Sequence, residues 1–367
     1  MSRLNTALIW TTSGFMAFAT GGISTIAASP PASNATSQYS ATPNPPPTPA
    51  SKQPQARAIE SSSFADVQPP PAATAPASTA PQPGLIKIET LLDRAHFSPG
   101  VIDGKAGSNL NNAIATYAKA HNLPFNGSLT TQIFTALAAG DKQPVTQDYK
   151  ITAEDEKGPF IGTLPADFAE QAKFKQLGYL RPTQELAEKF HMSEALLQAL
   201  NPGADFGASG TSIVVVQPGT GDIADGIARM EVDKGDNQLR LLDNSGKIVA
   251  AYPATVGSTE RPAPDGTWAV KFVTFHPDYT YDPKRLTFGK KSEGALVIAP
   301  GPNNPVGSTW IELTKPTYGI HGSPDPDLVG KTASHGCVRL TNWDASTVGH
   351  AVKKETPVVF VGETSKA

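Results

Sequence analysis

The sequence predicts a multidomain protein in which a small three-helix bundle, an α+β segment and a mostly-β C-terminal domain follow one another. The chain has 367 residues, which is more than one ordinary domain contains. Its 34 prolines are unevenly spread, which indicates a segmented chain. Apolar residues recur with a helical period in the middle of the chain and with a strand-like pattern after residue 226. We place the segment boundaries at 1–28, 29–84, 85–140, 148–218 and 226–361.

Charge and cysteine content limit the function classes. The formal net charge is −3, and no cluster of Lys or Arg stands out, so no nucleic-acid partner is expected. The chain has a single cysteine, Cys337, which cannot form an internal disulfide. Its thiol is therefore either a small buried apolar group or a reactive group.

The first 28 residues have the pattern of a signal peptide. Arg3 gives a positive start, Ala7–Thr20 is mostly apolar, and small residues follow at Ala27 and Ala28. A retained membrane anchor is the alternative, but the apolar stretch is shorter than the ~20 residues that a spanning helix needs. We therefore expect export to the periplasm, with no stable membrane span once the signal is cleaved.

Residues 29–84 are predicted to form a disordered linker. Most of them are Pro, Ala, Ser or Thr, and 14 of the prolines fall here. Such a segment has too little large apolar surface to offset the entropy lost on ordering. A flexible spacer is the expected result.

Two folded segments are predicted between this linker and residue 218. In 85–140, three apolar faces and the turns between them predict three short helices around one core. In 148–218, a strand, two helices and a second strand are expected, with Ser193 as the N-cap of the second helix. The loop Phe97–Gly104 resembles that of the peptidoglycan-binding-like three-helix module. The stretch LAEKFHMSEALLQALNPG resembles a LysM glycan-binding module with a long insertion.

The C-terminal segment, 226–361, contains short strands separated by turn signals. The strands are predicted at 227–232, 238–242, 247–256, 268–273 and 357–361, and a helix is predicted near 344–352. The motif SHGCVRL occupies residues 334–340, and GIHG occupies residues 319–322.

A nucleophile beside a base is the arrangement that cysteine catalysis requires. Cys337 lies in a Gly-containing turn with His and Arg neighbours, and His321 precedes it by 16 residues. Positive neighbours lower a thiol pKa, so we expect the pKa of Cys337 to be shifted toward neutrality. From spacing alone, Cys–His catalysis and a structural cysteine remain two open alternatives.

The C-terminal segment resembles the YkuD-type L,D-transpeptidase catalytic domain. Four separated pieces carry the resemblance in order: PAPDGTW (Pro262–Trp268), GPNNPVGSTWIEL (Gly301–Leu313), the HG of 321–322 and SHGCVRL. The resemblance implies that Cys337 is the nucleophile and His321 the base. It also implies that the main-chain carbonyl of Gly322, or of a nearby residue, orients the histidine ring.

The same resemblance implies roles for the residues around the nucleophile. Backbone N–H groups at His335, Gly336 and Cys337 would form the oxyanion hole. Ser334 would orient the loop, and Arg339 would either meet a substrate carboxylate or hold the loop through a salt bridge.

The implied reaction is an acyl transfer on peptidoglycan stem peptides that needs no cofactor and no metal. Cysteine attack releases D-Ala, and an amine then resolves the thioester. The acceptor is a second stem (a 3–3 cross-link), a wall-linked lipoprotein, or water in an L,D-carboxypeptidase. Other interpretations are a zinc site at His321, His335 and Cys337, which has too few nearby carboxylates, and a non-catalytic protein that binds peptidoglycan stems and glycan strands.

Overall fold

The computed structural model of the protein describes residues 53–67, 80–220, 222–223, 226–257, 262–283, 294–332 and 336–363. The predicted signal peptide lies outside these ranges. Within them, no helix is both long and apolar enough to cross a membrane. The α-helices of the described residues are α1 (Pro54–Ser61), α2 (Pro83–Arg94), α3 (Ser108–Ala120), α4 (Thr131–Gly140), α5 (Ala153–Lys157), α6 (Phe168–Gln171), α7 (Pro182–Lys189), α8 (Glu194–Leu200) and α9 (Asn342–Ala351).

The strands of the described residues form one large and two small sheets. In chain order they are β1 (Thr146–Lys150), β2 (Ser212–Val216), β3 (Ile227–Asp233), β4 (Gln238–Asp243), β5 (Ile248–Pro253), β6 (Thr255–Val256), β7 (Gly266–Phe275), β8 (Tyr279–Tyr281), β9 (Leu296–Ile298), β10 (Thr309–Leu313), β11 (Gly319–His321), β12 (Val338–Arg339) and β13 (Pro357–Val361). The large sheet has the order β5-β4-β3-β13-β7-β10-β11-β12-β6, and the pairs β1-β2 and β8-β9 form the small sheets.

The large sheet is nearly closed on itself. Its two outermost strands, β5 and β6, are separated in the chain by Ala254 alone. The single strand predicted at 247–256 was therefore wrong, because the chain bends at Ala254 and passes from one edge of the sheet to the other. The Ala254 N–H donates to the Asn237 carbonyl at 2.7 Å, which fixes this bend.

One face of this sheet packs against α9 around an aliphatic core. Alternation along the strands places every second side chain on that face. Thr341 is the N-cap of α9, and its hydroxyl accepts from the Asp344 N–H at 3.1 Å. Fully buried members of the core include Val232, Leu241, Ile311, Ile320, Val348 and Val358.

The predicted disordered linker contains ordered structure in its described part. Residues 54–61 form α1, which buries Ala56 and Ile59. The Lys87 ammonium donates to the carbonyls of Glu60 and Ser62, at 2.6 and 2.8 Å. The prediction of disorder was therefore wrong here, because two apolar residues spaced for one helix face find a partner surface on α2.

The three helices expected in 85–140 are present as α2, α3 and α4. The β-α-α-β order expected in 148–218 is present as β1, α7, α8 and β2, with α5 and α6 in the insertion. Ser193 caps α8 as predicted, accepting from the Leu196 N–H at 3.1 Å. Both segments contribute to one continuous hydrophobic core, which also includes Leu242, Ile248 and Ala251 of the large sheet. In the described residues, 85–140 and 148–218 therefore do not form separate modules with cores of their own.

Main-chain and side-chain hydrogen bonds attach the earlier segments to the large sheet. The Ser98 N–H donates to the Ala251 carbonyl at 2.9 Å, and Thr116 donates to Gln238 at 2.8 Å. The Leu177 N–H, in the insertion, donates to the Pro300 carbonyl at 2.9 Å in the loop before β10. The insertion therefore holds a loop of the C-terminal segment.

Replacing Gly301 by alanine is expected to weaken this attachment and to lower the free energy of unfolding by about 3 kcal/mol. Gly301 has φ = 147°, and an added Cβ would overlap the Leu177 carbonyl. Gly246→Ala is the matched control, because Gly246 has φ = 81° but no atom within 4 Å of the added Cβ. Urea unfolding measures both variants, and equal losses of stability would contradict the proposed overlap.

Candidate active site

Strand pairing places the predicted nucleophile and base on one face of the large sheet. β11 and β12 are parallel, with Ile320 opposite Val338 and His321 opposite Arg339. Ile320 and Val338 point into the core. Because side chains alternate along a strand, His321, Arg339 and the preceding Cys337 point to the opposite face. The sheet therefore brings together three residues that the sequence predicted as site residues.

The imidazole of His321 is buried and held in one tautomer. Its Nδ1 lies 2.7 Å from the carbonyl oxygen of Gly322. Because a carbonyl oxygen only accepts, Nδ1 carries the proton and Nε2 carries the lone pair. The ring stacks on Trp310, its cross-strand partner, with centroids 5.5 Å apart.

The pKa of His321 is lowered to about 4. Burial is the main cause, the Arg339 charge adds to it, and the Gly322 hydrogen bond opposes it. The imidazole is therefore neutral at pH 7 and able to accept a proton at Nε2.

Cys337 is partly exposed and immediately precedes β12, and its sulfur lies 3.9 Å from the Thr317 carbonyl oxygen. Removal from water raises the pKa of the thiol, while the Gly319 N–H and the Arg339 charge lower it less. The prediction that the pKa of the Cys337 thiol is lowered toward neutrality was therefore wrong in direction. Positive neighbours are visible in the sequence, whereas burial of the sulfur is not.

The turn before the nucleophile requires glycine at position 336. Gly336 has φ = 117°, a region that residues with a Cβ rarely adopt. An added Cβ would also lie 3.3 Å from the hydroxyl of Tyr318. Ser334 and His335, which were predicted to shape this turn, lie outside the described residues.

Arg339 and Tyr279 are further residues near the sulfur of Cys337. Arg339 is partly buried, and its charge lowers the pKa of both Cys337 and His321. Burial, Cys337 and Tyr281 together raise the pKa of Tyr279 to about 12. Tyr279 is therefore close enough to the sulfur to interact electrostatically with it. Tyr281, in the same hairpin, is 1% exposed and fills its core.

Asn342 contacts the backbone around His321, and sequence reasoning missed it. Its side-chain oxygen accepts from the Ser308 N–H at 3.1 Å and would collide with a Cβ added at Gly322. Asn342 follows the nucleophile motif by a few residues in SHGCVRLTNWD. A polar residue at a helix start is typical of capping, so only the fold reveals this contact.

Metal ligation has no support in the described parts of the chain. No group of three or more His, Cys, Asp or Glu in them is arranged to hold a metal ion. His335, one of the three ligands considered from the sequence, is outside these parts.

The alkylation rate of Cys337 is expected to rise with pH to a midpoint above that of a cysteine peptide measured in parallel. A raised thiol pKa leaves a smaller thiolate fraction at neutral pH. Iodoacetamide labelling followed by mass spectrometry measures the alkylation rate of Cys337 at each pH, since the chain has one cysteine. Arg339→Gln should move the midpoint higher still. A midpoint near neutrality would instead indicate a preformed thiolate–imidazolium pair.

Comparisons with known proteins identify similar chains. A family model described as the L,D-transpeptidase catalytic domain, YkuD, matches residues 228–360. YkuD of Bacillus licheniformis, whose name assigns it to the L,D-transpeptidases, is 31% identical over 167 residues, which are 45% of this chain and 84% of that protein. YkuD of Bacillus subtilis is 29% identical over 176 residues, 48% of this chain and 90% of that protein. A solved L,D-transpeptidase from Mycobacterium smegmatis is 19% identical, with a TM-score of 0.30, over 42% of this chain and 64% of that one.

Proposed function

The chain belongs to the YkuD-type L,D-transpeptidase family, and on this premise we propose that it transfers acyl groups between peptidoglycan stem peptides through Cys337. One observation carries the proposal. The only cysteine of the chain shares a sheet face with a neutral, buried imidazole whose Nδ1 proton is held by a main-chain carbonyl. This arrangement supplies a nucleophile and an oriented base.

The first half-reaction forms a thioester. His321 Nε2 takes the thiol proton while the sulfur of Cys337 bonds to the carbonyl carbon of the diamino acid at stem position three. The tetrahedral intermediate then collapses, the C–N bond to D-Ala breaks, and the imidazolium returns its proton to the leaving amine. A neutral His321 and a neutral Cys337 are the starting states that the raised thiol pKa and the lowered imidazole pKa favour.

The negative oxygen of the intermediate needs hydrogen-bond donors. We assign this role to the backbone N–H groups near Gly336 and Cys337, in the turn where the main chain has φ = 117°. Losing one such donor typically costs about 3 kcal/mol of transition-state stabilisation. Arg339, on the same sheet face as the sulfur, is proposed to bind a substrate carboxylate.

The second half-reaction passes the acyl group to an amine. The amine attacks the thioester carbonyl and His321 takes one of its protons. The C–S bond then breaks, and the imidazolium returns the proton to the sulfur, which regenerates the thiol of Cys337. The acceptor is proposed to be a second stem or a wall-linked lipoprotein, and the enzyme is proposed to act outside the cytoplasm, in the periplasm. Contact of residues 85–140 or 148–218 with glycan strands is a further proposal, supported by their sequence resemblances.

The test is incubation of the purified protein with disaccharide-tetrapeptide, followed by mass spectrometry. Loss of D-Ala with formation of a cross-linked dimer is the expected result. A tripeptide without dimer would indicate an L,D-carboxypeptidase. An unchanged substrate, together with binding of purified sacculi, would contradict the enzymatic proposal and leave a wall-binding protein.

A further inference from the structure

A carboxyl group from residues 148–218 contacts the start of α9. Glu188, on α7, accepts hydrogen bonds from the Asn342 side-chain nitrogen at 3.1 and 3.3 Å. The hydroxyl of Tyr179 donates to the same carboxylate at 3.1 Å. Asn342 is 2% exposed, so its amide is withdrawn from water. A buried amide of this kind takes its orientation from its protein partners.

The partners of Asn342 define the orientation of its amide. Its nitrogen donates to Glu188 and also to the Pro302 carbonyl at 3.1 Å. Its oxygen accepts from the Ser308 N–H at 3.1 Å. The Pro302 carbonyl only accepts and the Ser308 N–H only donates, so these bonds are satisfied together in a single orientation of the amide.

The oxygen of Asn342 packs against the backbone that holds the base. A Cβ added at either Gly307 or Gly322 would collide with this oxygen. The Gly322 N–H donates to the Thr309 carbonyl at 3.1 Å, and the Gly322 carbonyl accepts from His321. The Gly322 backbone is thus bonded to the sheet through its N–H and packed against the Asn342 amide at its Cα.

We propose that Glu188 and Asn342 are positioning residues for the catalytic base, since together they fix the Gly322 carbonyl that holds the Nδ1 proton of His321. The inference rests on the proposed role of His321. It gives residues 148–218 an intramolecular role in the active site, because α7 supplies the carboxyl group of Glu188. Without Glu188 the Asn342 amide keeps its bonds to Pro302 and Ser308 but loses its third partner, so its packing against the Gly322 backbone is expected to loosen.

The chain offers a conservative variant and a matched control. Glu188→Ala removes the acceptor, whereas Glu188→Gln keeps an acceptor oxygen of the same reach. Gln184, one turn earlier on α7, also bonds across to the C-terminal segment, through Asn303 at 3.0 Å. Gln184→Ala therefore weakens the docking of α7 without touching Asn342. Asn342→Asp is a second disruptive variant of nearly unchanged shape, which places a carboxylate against Glu188.

Two readouts separate positioning from a merely structural role. The first is kcat and KM for D-Ala release, where we expect kcat to fall about 10- to 100-fold in Glu188→Ala and Asn342→Asp with KM nearly unchanged. The second is the ¹⁵N NMR spectrum of labelled histidine, with the His321 signals assigned by their absence in His321→Gln. The wild type should show the Nδ1–H tautomer, and both variants should show a mixture of the two tautomers.

The proposal is supported if Glu188→Gln retains the wild-type tautomer and Gln184→Ala leaves both kcat and the tautomer unchanged. It is overturned if Glu188→Ala and Asn342→Asp keep the pure Nδ1–H tautomer, or if Gln184→Ala shows the same change as Glu188→Ala. The NMR readout does not require turnover. An inactive wild type with the expected tautomer changes would therefore contradict the proposed function, while Glu188 and Asn342 would still be shown to fix the tautomer of His321.

Discussion

Replacing Cys337 by serine is expected to lower the rate of D-Ala release from a tetrapeptide stem by about 10⁴-fold or more. A serine hydroxyl holds its proton far more tightly than a thiol, and the loss of a catalytic nucleophile typically costs 10⁴- to 10⁶-fold. Single-turnover mass spectrometry of the released D-Ala measures the effect. A carbapenem should in parallel form one covalent adduct with the wild type and none with Cys337→Ser.

The serine variant should keep the fold and its interactions with the wall. Cys337 is only partly buried, so the substitution leaves no large cavity, and the midpoint of thermal unfolding should change little. Binding to purified sacculi should be retained. A carbapenem adduct on the variant would show that the nucleophile has been assigned to the wrong residue.

Replacing His321 by glutamine is expected to lower kcat for D-Ala release by about 10³-fold. General-base catalysis contributes roughly 10²- to 10⁴-fold, and the glutamine amide cannot accept the thiol proton. In the wild type, kcat/KM should decline as the pH falls through about 4, because protonation of His321 removes the base. The variant should lack this acidic limb, and its persistence would assign the ionisation to another group.

The same substitution should change how stability depends on pH. The pKa of His321 is about 4 in the folded protein and near 6.5 in an unfolded chain. Between these values the unfolded state binds more protons, so the neutral imidazole favours folding above pH 6.5 and loses that contribution as the pH falls to 4. Wild-type protein should lose about 3 kcal/mol more than His321→Gln across this range, measured by urea unfolding.

Local signals were sufficient to predict much of the fold from the sequence. The helices α2, α3, α4, α7 and α8 follow apolar periodicity, and Ser193 acts as the N-cap of α8, where the sequence placed it. What could not be predicted was how the segments combine. The core shared by α1–α4, α7, α8 and part of the large sheet depends on contacts between distant residues, which no local pattern encodes.

The site shows the same division between local and distant contacts. Cys337 and His321 lie in short motifs, so the sequence identifies them, and the parallel pairing of β11 and β12 then brings their motifs side by side. The contact between Glu188 and Asn342 joins residues 154 positions apart and was not predicted. The direction of the Cys337 pKa shift was also missed, because it depends on how much water reaches the sulfur.

The position of β13 has a consequence for the nascent chain. This strand is the last of the large sheet in chain order, yet it lies between β3 and β7 and pairs with both. Until residues 357–361 have been synthesised, the strands on either side of that gap have no common neighbour, and the nine-stranded sheet is incomplete. Closure of the sheet is therefore among the last steps in the folding of the newly made chain.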